Sequence, residues 1–323
     1  MEQKVEQVFS KEILYNAASN FALVIEEKPI GDFENYLFKG HTEDGMPRVL
    51  RLTHSSHRNK KEIESELSFL NYIRENDANA AGSLASLNGN LVEEHIASDG
   101  SRFFASMFEW ADGKLPDSTN PQVWNDDLMF EWGKTIGKLH ALTVNYPVTD
   151  HRVTWDEDPY VVEALQNKVI GTYTKELLDE MGKYPRNKDS YGLIHSDVHQ
   201  HNFFVNEAGK ITVFDFDDLQ YNYFIHDLAI VIYYTAWGSK GTFEEKSSFA
   251  KHQLSVLRKG YETEYVLEEK WYETIPAFLK LRDQTLYHVL SMKYDGKEKS
   301  ERLIKLVEEI ENRIINNKAI VNI

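Results

Sequence analysis

The sequence predicts an α+β fold: a small strand-rich part with one helix, followed by a larger, mainly helical part. Three observations predict it. Short apolar runs broken by turn residues fill the first hundred positions. A single amphipathic segment interrupts them. From Asp126 onward, long segments carry helical periodicity instead.

In order along the chain, "NYLFKGHTEDGMPRVLRLT" (35–53) reads as two strands joined by a turn at Glu43-Asp44-Gly45. In "RNKKEIESELSFLNYIREN" (58–76), Ile63, Leu67, Leu70 and Ile73 recur at spacings of four and three, which marks a helix with one apolar face. "NLVEEHIAS" and "SRFFASMFEW" form a second hairpin around Asp99-Gly100. The turn-rich "ADGKLPDSTNP" (111–121) is the expected boundary, dividing the chain into 1–111 and 112–323. Beyond it, helices are expected over Asp126–Leu142, Pro159–Met181, Glu245–Glu264, Trp271–Tyr294 and Lys297–Asn317.

Composition narrows the function. With 323 residues, 41% hydrophobic and 27% charged, this is ordinary globular material large enough for two lobes. A formal net charge of -16 argues against nucleic acid as a partner, because phosphate binding needs basic surface. The apolar run "LAIVIYY" (228–234) is too short to cross a bilayer, and "MEQKVEQVFS" lacks the basic-then-apolar start of a secretory signal. No membrane partner and a cytoplasmic location are therefore expected. The absence of cysteine removes disulfides, thiolate metal sites and cysteine nucleophiles.

The chemistry concentrates in "HSDVHQHN" (195–202). His195, Asp197, His199 and His201 alternate, and on a strand they would share one face, as a zinc cage requires. The context fits zinc poorly. Asn202 breaks the series, and "FFV" leads straight into a turn at Asn206–Gly209, a strand "KITVF", and the acids Asp215, Asp217 and Asp218. His-x-Asp-x-x-x-x-Asn followed by such a hairpin and acids has the spacing of a phosphotransfer loop. There a carboxylate faces the acceptor hydroxyl, while an amide oxygen and a second carboxylate suit a hard cation such as magnesium.

"LIHSDVHQHNFFVNEAGKITVFDFDDLQYNYFIHDLAIVI" resembles the superfamily of protein-kinase-like small-molecule kinases that includes aminoglycoside phosphotransferases, choline kinases and type II homoserine kinases. "WGKTIGKLHALT" is similar to the family's G-x-x-L-x-x-L-H helix, with Ile136 at a usual leucine. The resemblance implies a bilobal protein-kinase-like fold, ATP or GTP as donor and Mg2+ as cofactor. It makes Asp197 the catalytic base, Asn202 and Asp215 magnesium ligands, and Asp217 a further acid near the metal. His195 would hold the loop. Asp227 would brace it, or serve as the N-cap of the apolar helix that follows.

On the nucleotide side, Arg51 in "RVLRLT" stands where the family usually has lysine, a change that keeps charge but alters geometry. Arg48 is a rival that would face the other side of the strand. Glu62, Glu64 and Glu66 could each pair with the arginine, and "SELSFL" favours Glu66. Gly31 and Asn35 would lie in a degenerate phosphate loop, and Met107, Phe108 and the backbone at Glu109 would meet the base. For the acceptor, Trp155, Asp218, Tyr221 and Arg282 are the leading candidates. Aromatic and acidic residues together would hold an ammonium group, whereas Arg282 would anchor a carboxylate or pair with an acid. The expected activity is phosphoryl transfer to a small-molecule hydroxyl of an aminoglycoside, amino alcohol, homoserine or sugar-like compound. The alternatives are a protein or peptide kinase and a nucleotide-binding pseudokinase.

Overall fold

The computed structural model describes residues 3–149, 151–293 and 300–323. The chain forms two compact units. The first comprises Met1–Gly113, Val148–His151 and Thr212–Asp217; the second comprises Lys114–Pro147, Arg152–Ile211 and Asp218–Ile323. Asp215 and Asp217 thus pack with the first unit.

The first unit opens with two helices the sequence reading missed, α1 (Gln3–Val8) and α2 (Lys11–Asn20). The Ser10 side chain accepts from the Ile13 amide and so caps α2, which buries Ile13, Leu14, Ala17 and Ala18. An antiparallel sheet follows, built from β1 (Val24–Gly31), β2 (Tyr36–His41), β3 (Pro47–His54), β4 (Ser83–Leu84), β5 (Glu93–Ile96) and β6 (Arg102–Glu109). Its order is β1-β2-β3-β6-β4, with β5 also on β6. Gly45 (φ +83°) and Gly100 (φ +88°) turn the two hairpins in the left-handed region that glycine adopts without strain.

Alternation along β3 sorts the side chains. Leu50 and Leu52 join Phe38, Phe103, Ala105 and Met107 in one core cluster. Arg51 takes the opposite face, where α3 (Lys60–Glu75) packs Ile63 and Leu67 against Phe104. Asn59 and Glu62 close α3 with reciprocal capping bonds. At the sheet's edge, Val213 of β9 (Ile211–Val213) donates to Asn79 O (3.0 Å), and Ala81 donates back to Val213 O (2.9 Å).

In the second unit, β7 (Tyr191–Ile194) pairs antiparallel with β10 (Gln220–Tyr223), with Ile194 opposite Gln220. A short strand β8 (Phe203–Val205) follows the His195–Asn202 segment. The helices are α4 (Asp126–Thr143), α5 (Pro159–Gln166), α6 (Gly171–Met181), α7 (Ile225–Gly238), α8 (Phe243–Tyr261), α9 (Glu269–Tyr272), α10 (Ile275–Lys293) and α11 (Glu301–Ile315). The helix expected over 159–181 is two helices, because the Asn167 side chain accepts from Val169 and Ile170 and starts a fresh turn. The helix expected from Trp271 is also broken, after Tyr272. The expected ends at Tyr294 and Lys297 lie outside the described residues.

α4 and α8 cross at two glycines. A Cβ on Gly133 would lie 1.9 Å from Leu257 O, and one on Gly260 would lie 1.9 Å from Phe130 O. Such proximity leaves no room for a methyl group. Gly133→Ala should therefore destabilise the protein by about 1–3 kcal/mol, despite alanine's better helix propensity. Urea unfolding checks this, with Gly238→Ala, whose Cβ would meet nothing within 4 Å, as the neutral control.

Candidate active site

The loop after β7 is organised from below by a buried carboxylate. Asp227 lies in the first turn of α7 and is fully buried. It is therefore inside the helix rather than its N-cap, a position taken by Phe224 without a side-chain bond. Its Oδ1 accepts from the Ser196 amide (2.8 Å), and its Oδ2 from the His195 amide (3.3 Å) and His140 Nε2 (3.1 Å). His140 Nδ1 in turn contacts the Tyr261 hydroxyl (2.9 Å). Burial alone would raise the Asp227 pKa, but the His140 hydrogen bond and the neighbouring imidazoles hold it below the usual carboxylate value. Ser196 has φ +68°, a left-handed conformation that costs a serine roughly 1–2 kcal/mol and persists where surroundings impose it. The bond from its amide to Asp227 is such an imposition.

Above this base, Asp197 is met by three side chains. Arg282 Nη2 on α10 approaches Oδ1 to 2.7 Å. Asn202 Nδ2 donates to Oδ2 (3.2 Å) and to the Asp197 carbonyl (2.8 Å). His199 Nε2 lies 3.2 Å from Oδ2. His195, itself buried, accepts weakly from the Asp197 amide (3.4 Å). Burial pushes the Asp197 carboxyl up, but Arg282 and then His199 overcome it and bring it down to about 2. At any physiological pH this group is an anion that accepts hydrogen bonds. With the nitrogen of Asn202 committed to Asp197, its amide oxygen is the end left to face a cation. Trp132 Nε1 on α4 donates to Val198 O (3.1 Å) and pins the middle of the loop.

In the first unit, Arg51 and Glu66 form a bidentate pair (2.8 and 2.7 Å) with both side chains at most 3% exposed. Glu62 is used in the cap of α3, and Glu64 meets Lys60 (3.8 Å) on the surface. The face bearing Arg51 also carries Leu37, Val49, Ser106 and Phe108, the last 4.9 Å beneath the guanidinium. Met107 points the other way into the core, so Phe108, not Met107, shares the face of Arg51. The Glu109 amide donates to Gly82 O (2.9 Å), and its carboxylate pairs with Arg74 (2.7 Å). A base contact from Glu109 is thereby limited to its carbonyl. Gly31 ends β1, and a Cβ there would press to 3.1 Å on Leu37 Cδ1.

Asp217 was expected near the metal. The structure surrounds it with other partners: His57 Nε2 (2.5 Å), Arg58 Nε (3.6 Å) and Asn35 Nδ2 (3.3 Å). Burial would raise its pKa, but Arg58 and His57 hold it well below the usual carboxylate range. Glu34, His57 and Asp217 bring ligand-type atoms within 4.8 Å of one another. With a guanidinium already beside Asp217, the cluster suits a tether better than a cation. His57 and Arg58 were not singled out from the sequence, although "HRN" stands two residues beyond β3. Asp215 is exposed and has φ +64°.

Of the acceptor candidates, Trp155 is corrected outright. It is 1% exposed, packed near Tyr223 and beneath Arg186, and is core. The backbone of Tyr221 pairs with Val153 and Trp155 while its side chain stays half-buried. Asp218 is half-buried, and its charge is felt by Tyr234 and Arg282. Arg282 touches Asp197 directly.

An antiparallel sheet with a buried arginine–glutamate pair and a helical unit presenting His-x-Asp-x-x-x-x-Asn define a protein-kinase-like small-molecule phosphotransferase. The chain belongs to the phosphotransferase enzyme family, which matches residues 26–263. It is 32% identical over 323 residues to amicoumacin kinase of Bacillus subtilis (strain 168), covering 95% of this chain and 94% of that protein. It is similar to a solved amicoumacin kinase in complex with AMP-PNP, Ca2+ and Ami, with a TM-score of 0.91, 27% identity and 99% and 98% of the two chains covered. It shares its fold with a microcompartment-associated aminopropanol kinase at a TM-score of 0.74, 18% identity, and coverage of 95% and 98%.

The buried ion pair yields a test. Arg51→Met should cost about 3–5 kcal/mol by stranding the Glu66 carboxylate, and adding Glu66→Leu should restore most of it. Nucleotide affinity should stay low in both variants. Urea unfolding and calorimetric titration with Mg·AMP-PNP separate the two effects.

Proposed function

We propose that this protein transfers the γ-phosphoryl group of ATP (or GTP), with magnesium, to a hydroxyl of amicoumacin or a close analogue. The single observation carrying the acceptor is the end-to-end likeness to amicoumacin kinases: 32% identity over 95% of the chain and a TM-score of 0.91, against 0.74 for the aminopropanol kinase. Dependence on a nucleoside triphosphate supports a cytoplasmic location.

In this reading Arg51, held rigid by Glu66, binds the donor phosphates through its remaining charge, and Leu37, Val49 and Phe108 pack against the base. The amide oxygen of Asn202 and the carboxylate of Asp215 are hard oxygen donors that suit magnesium, as they suit the Ca2+ present in the relative's complex. Magnesium held by these residues would supply charge neutralisation to the donor phosphates. Asp197 accepts the hydrogen bond of the acceptor hydroxyl and aims it at the γ-phosphorus. With Arg282 and His199 holding its carboxyl below the usual carboxylate range, Asp197 is a weak base, so orientation outweighs early proton removal. That matches a loose transition state in which the hydroxyl proton leaves late. Asp217, through His57, Arg58 and Asn35, fixes the loops on either side of β2 and β3.

The purified protein with Mg·ATP should convert amicoumacin to a phosphorylated product seen by mass spectrometry, and should leave choline and aminoglycosides largely unchanged. Efficient turnover of either in place of amicoumacin would overturn the acceptor assignment. Asp197→Asn should lower kcat by roughly 10²–10⁴ with Mg·ATP affinity retained. Asp215→Ala should weaken Mg-dependent AMP-PNP binding itself; an unchanged affinity would remove it from the metal site.

A further inference from the structure

Arg282 stands on α10, eighty-five residues from Asp197 in sequence, yet it supplies a close cation to the candidate base. Its mode of contact is unusual for a structural ion pair. One nitrogen, Nη2, serves both Asp197 Oδ1 and the Tyr234 hydroxyl. Among the described residues, Nε is buried without a hydrogen-bond partner, and the hydrogen bonds of the guanidinium run through Nη2. Compare Arg313, which turns Nε and Nη2 together onto Asp283 (2.8 and 2.6 Å) in the two-pronged arrangement expected of a guanidinium that only braces helices. Nε itself is covered, but Arg282 keeps 18% of its side chain exposed, so a solute can approach the guanidinium.

The guanidinium is also held in place. It lies 5.1 Å over the Tyr234 ring, which also meets His199 (4.6 Å), Tyr233 (5.6 Å) and Trp237 (5.7 Å, stacked). A hydroxyl that donates to Asp197 therefore comes to rest beside a fixed planar cation with donors to spare. Whatever is bonded next to that hydroxyl meets Arg282. An oxygen there accepts a hydrogen bond and relieves the stranded donors; an ammonium there is repelled.

We propose that Arg282 selects acceptors whose reacting hydroxyl is flanked by a second oxygen, as in a vicinal diol or a hydroxyl beside a carbonyl, and rejects those flanked by an amine. The inference rests on the preceding reading only in placing the acceptor hydroxyl at Asp197; it is independent of amicoumacin.

The test measures kcat and KM on matched probes: glyceramide and 1,2-propanediol against 1-amino-2-propanol and choline, with amicoumacin alongside. The wild-type protein should favour the oxygen-flanked probes by about tenfold or more in kcat/KM, the worth of one charge-assisted hydrogen bond. Arg282→Lys keeps a positive charge beside Asp197 but loses the fork. Its KM for the oxygen-flanked probes should rise by about tenfold, with a smaller fall in kcat and an unchanged KM for ATP. Arg282→Met, checked for folding by circular dichroism, should narrow the discrimination against amines. A wild-type protein that prefers the amino alcohols or uses none of the oxygen-flanked probes overturns the proposal. So does an Arg282→Lys variant whose acceptor KM is unaltered or rises in step with its KM for ATP. Discrimination between the pairs without amicoumacin turnover overturns only the amicoumacin reading. Amicoumacin turnover with no discrimination overturns only the Arg282 assignment.

Discussion

The loop that follows β7 in the second unit depends on the Asp227 carboxylate. A fully buried anion is stable only when its oxygens are occupied, and here two loop amides and the His140 imidazole occupy them. Four elements are joined by this one group: the end of β7, the first turn of α7, and, through His140 and Tyr261, α4 and α8. Their joining explains how Ser196 is kept in a left-handed conformation that its side chain disfavours. The direction of the next residue follows. Asp197 leaves the loop at an angle fixed by its neighbour's backbone, and Arg282, Asn202 and His199 then fix its rotamer. The α4–α8 crossing at Gly133 and Gly260 belongs to the same chain of dependence, since His140 and Tyr261 lie on those helices.

The first unit solves a related problem with the opposite emphasis. Arg51 is buried on a strand whose neighbours Leu50 and Leu52 are core, and only a full bidentate partner makes that tolerable. Asp217 is likewise buried, and its charge is met by Arg58, His57 and the more distant Arg51. A chain with a net charge of -16 therefore keeps several cations in its interior, each against a named carboxylate. The charge of the whole says little about the charge at the site.

Much of this was legible in the sequence because local spacing carried it. The hairpins around Gly45 and Gly100 and the helix of Ile63 and Leu67 all follow from periodicity and turn chemistry. Glu66 could be told from Glu62 and Glu64 because it lies three residues after Ile63 and four before Leu70, on the apolar face, where a charge must have a partner. Other features depend on contacts that sequence spacing does not encode. The face of Phe108 rather than Met107 was recoverable only from the register of Arg51 opposite Ser106. The helices α1 and α2 are short, and only the Ser10 cap announced α2. The break at Asn167 is a side-chain turn inside a segment of helical composition. The partnership of Arg282 with Asp197 joins elements far apart in the chain, and no local pattern marks it.

The same distinction governs the acceptor. Aromatic and acidic residues around the loop suggest, in sequence, a cage for an ammonium group. In the structure several of those aromatic residues are committed elsewhere. Trp155 and Trp271 are 1% and 3% exposed, and the Tyr287 hydroxyl is spent on Glu311 (2.7 Å). Tyr234 does stand near Asp197, but the face of its ring is already covered by Arg282. A cation approaching that tyrosine would meet another cation before it met the π-system. Aromatic side chains bind ammonium groups through an open face, and here an arginine closes it. Richness in aromatic residues therefore builds the core of the helical unit, while the chemistry beside Asp197 is that of a guanidinium with unspent donors.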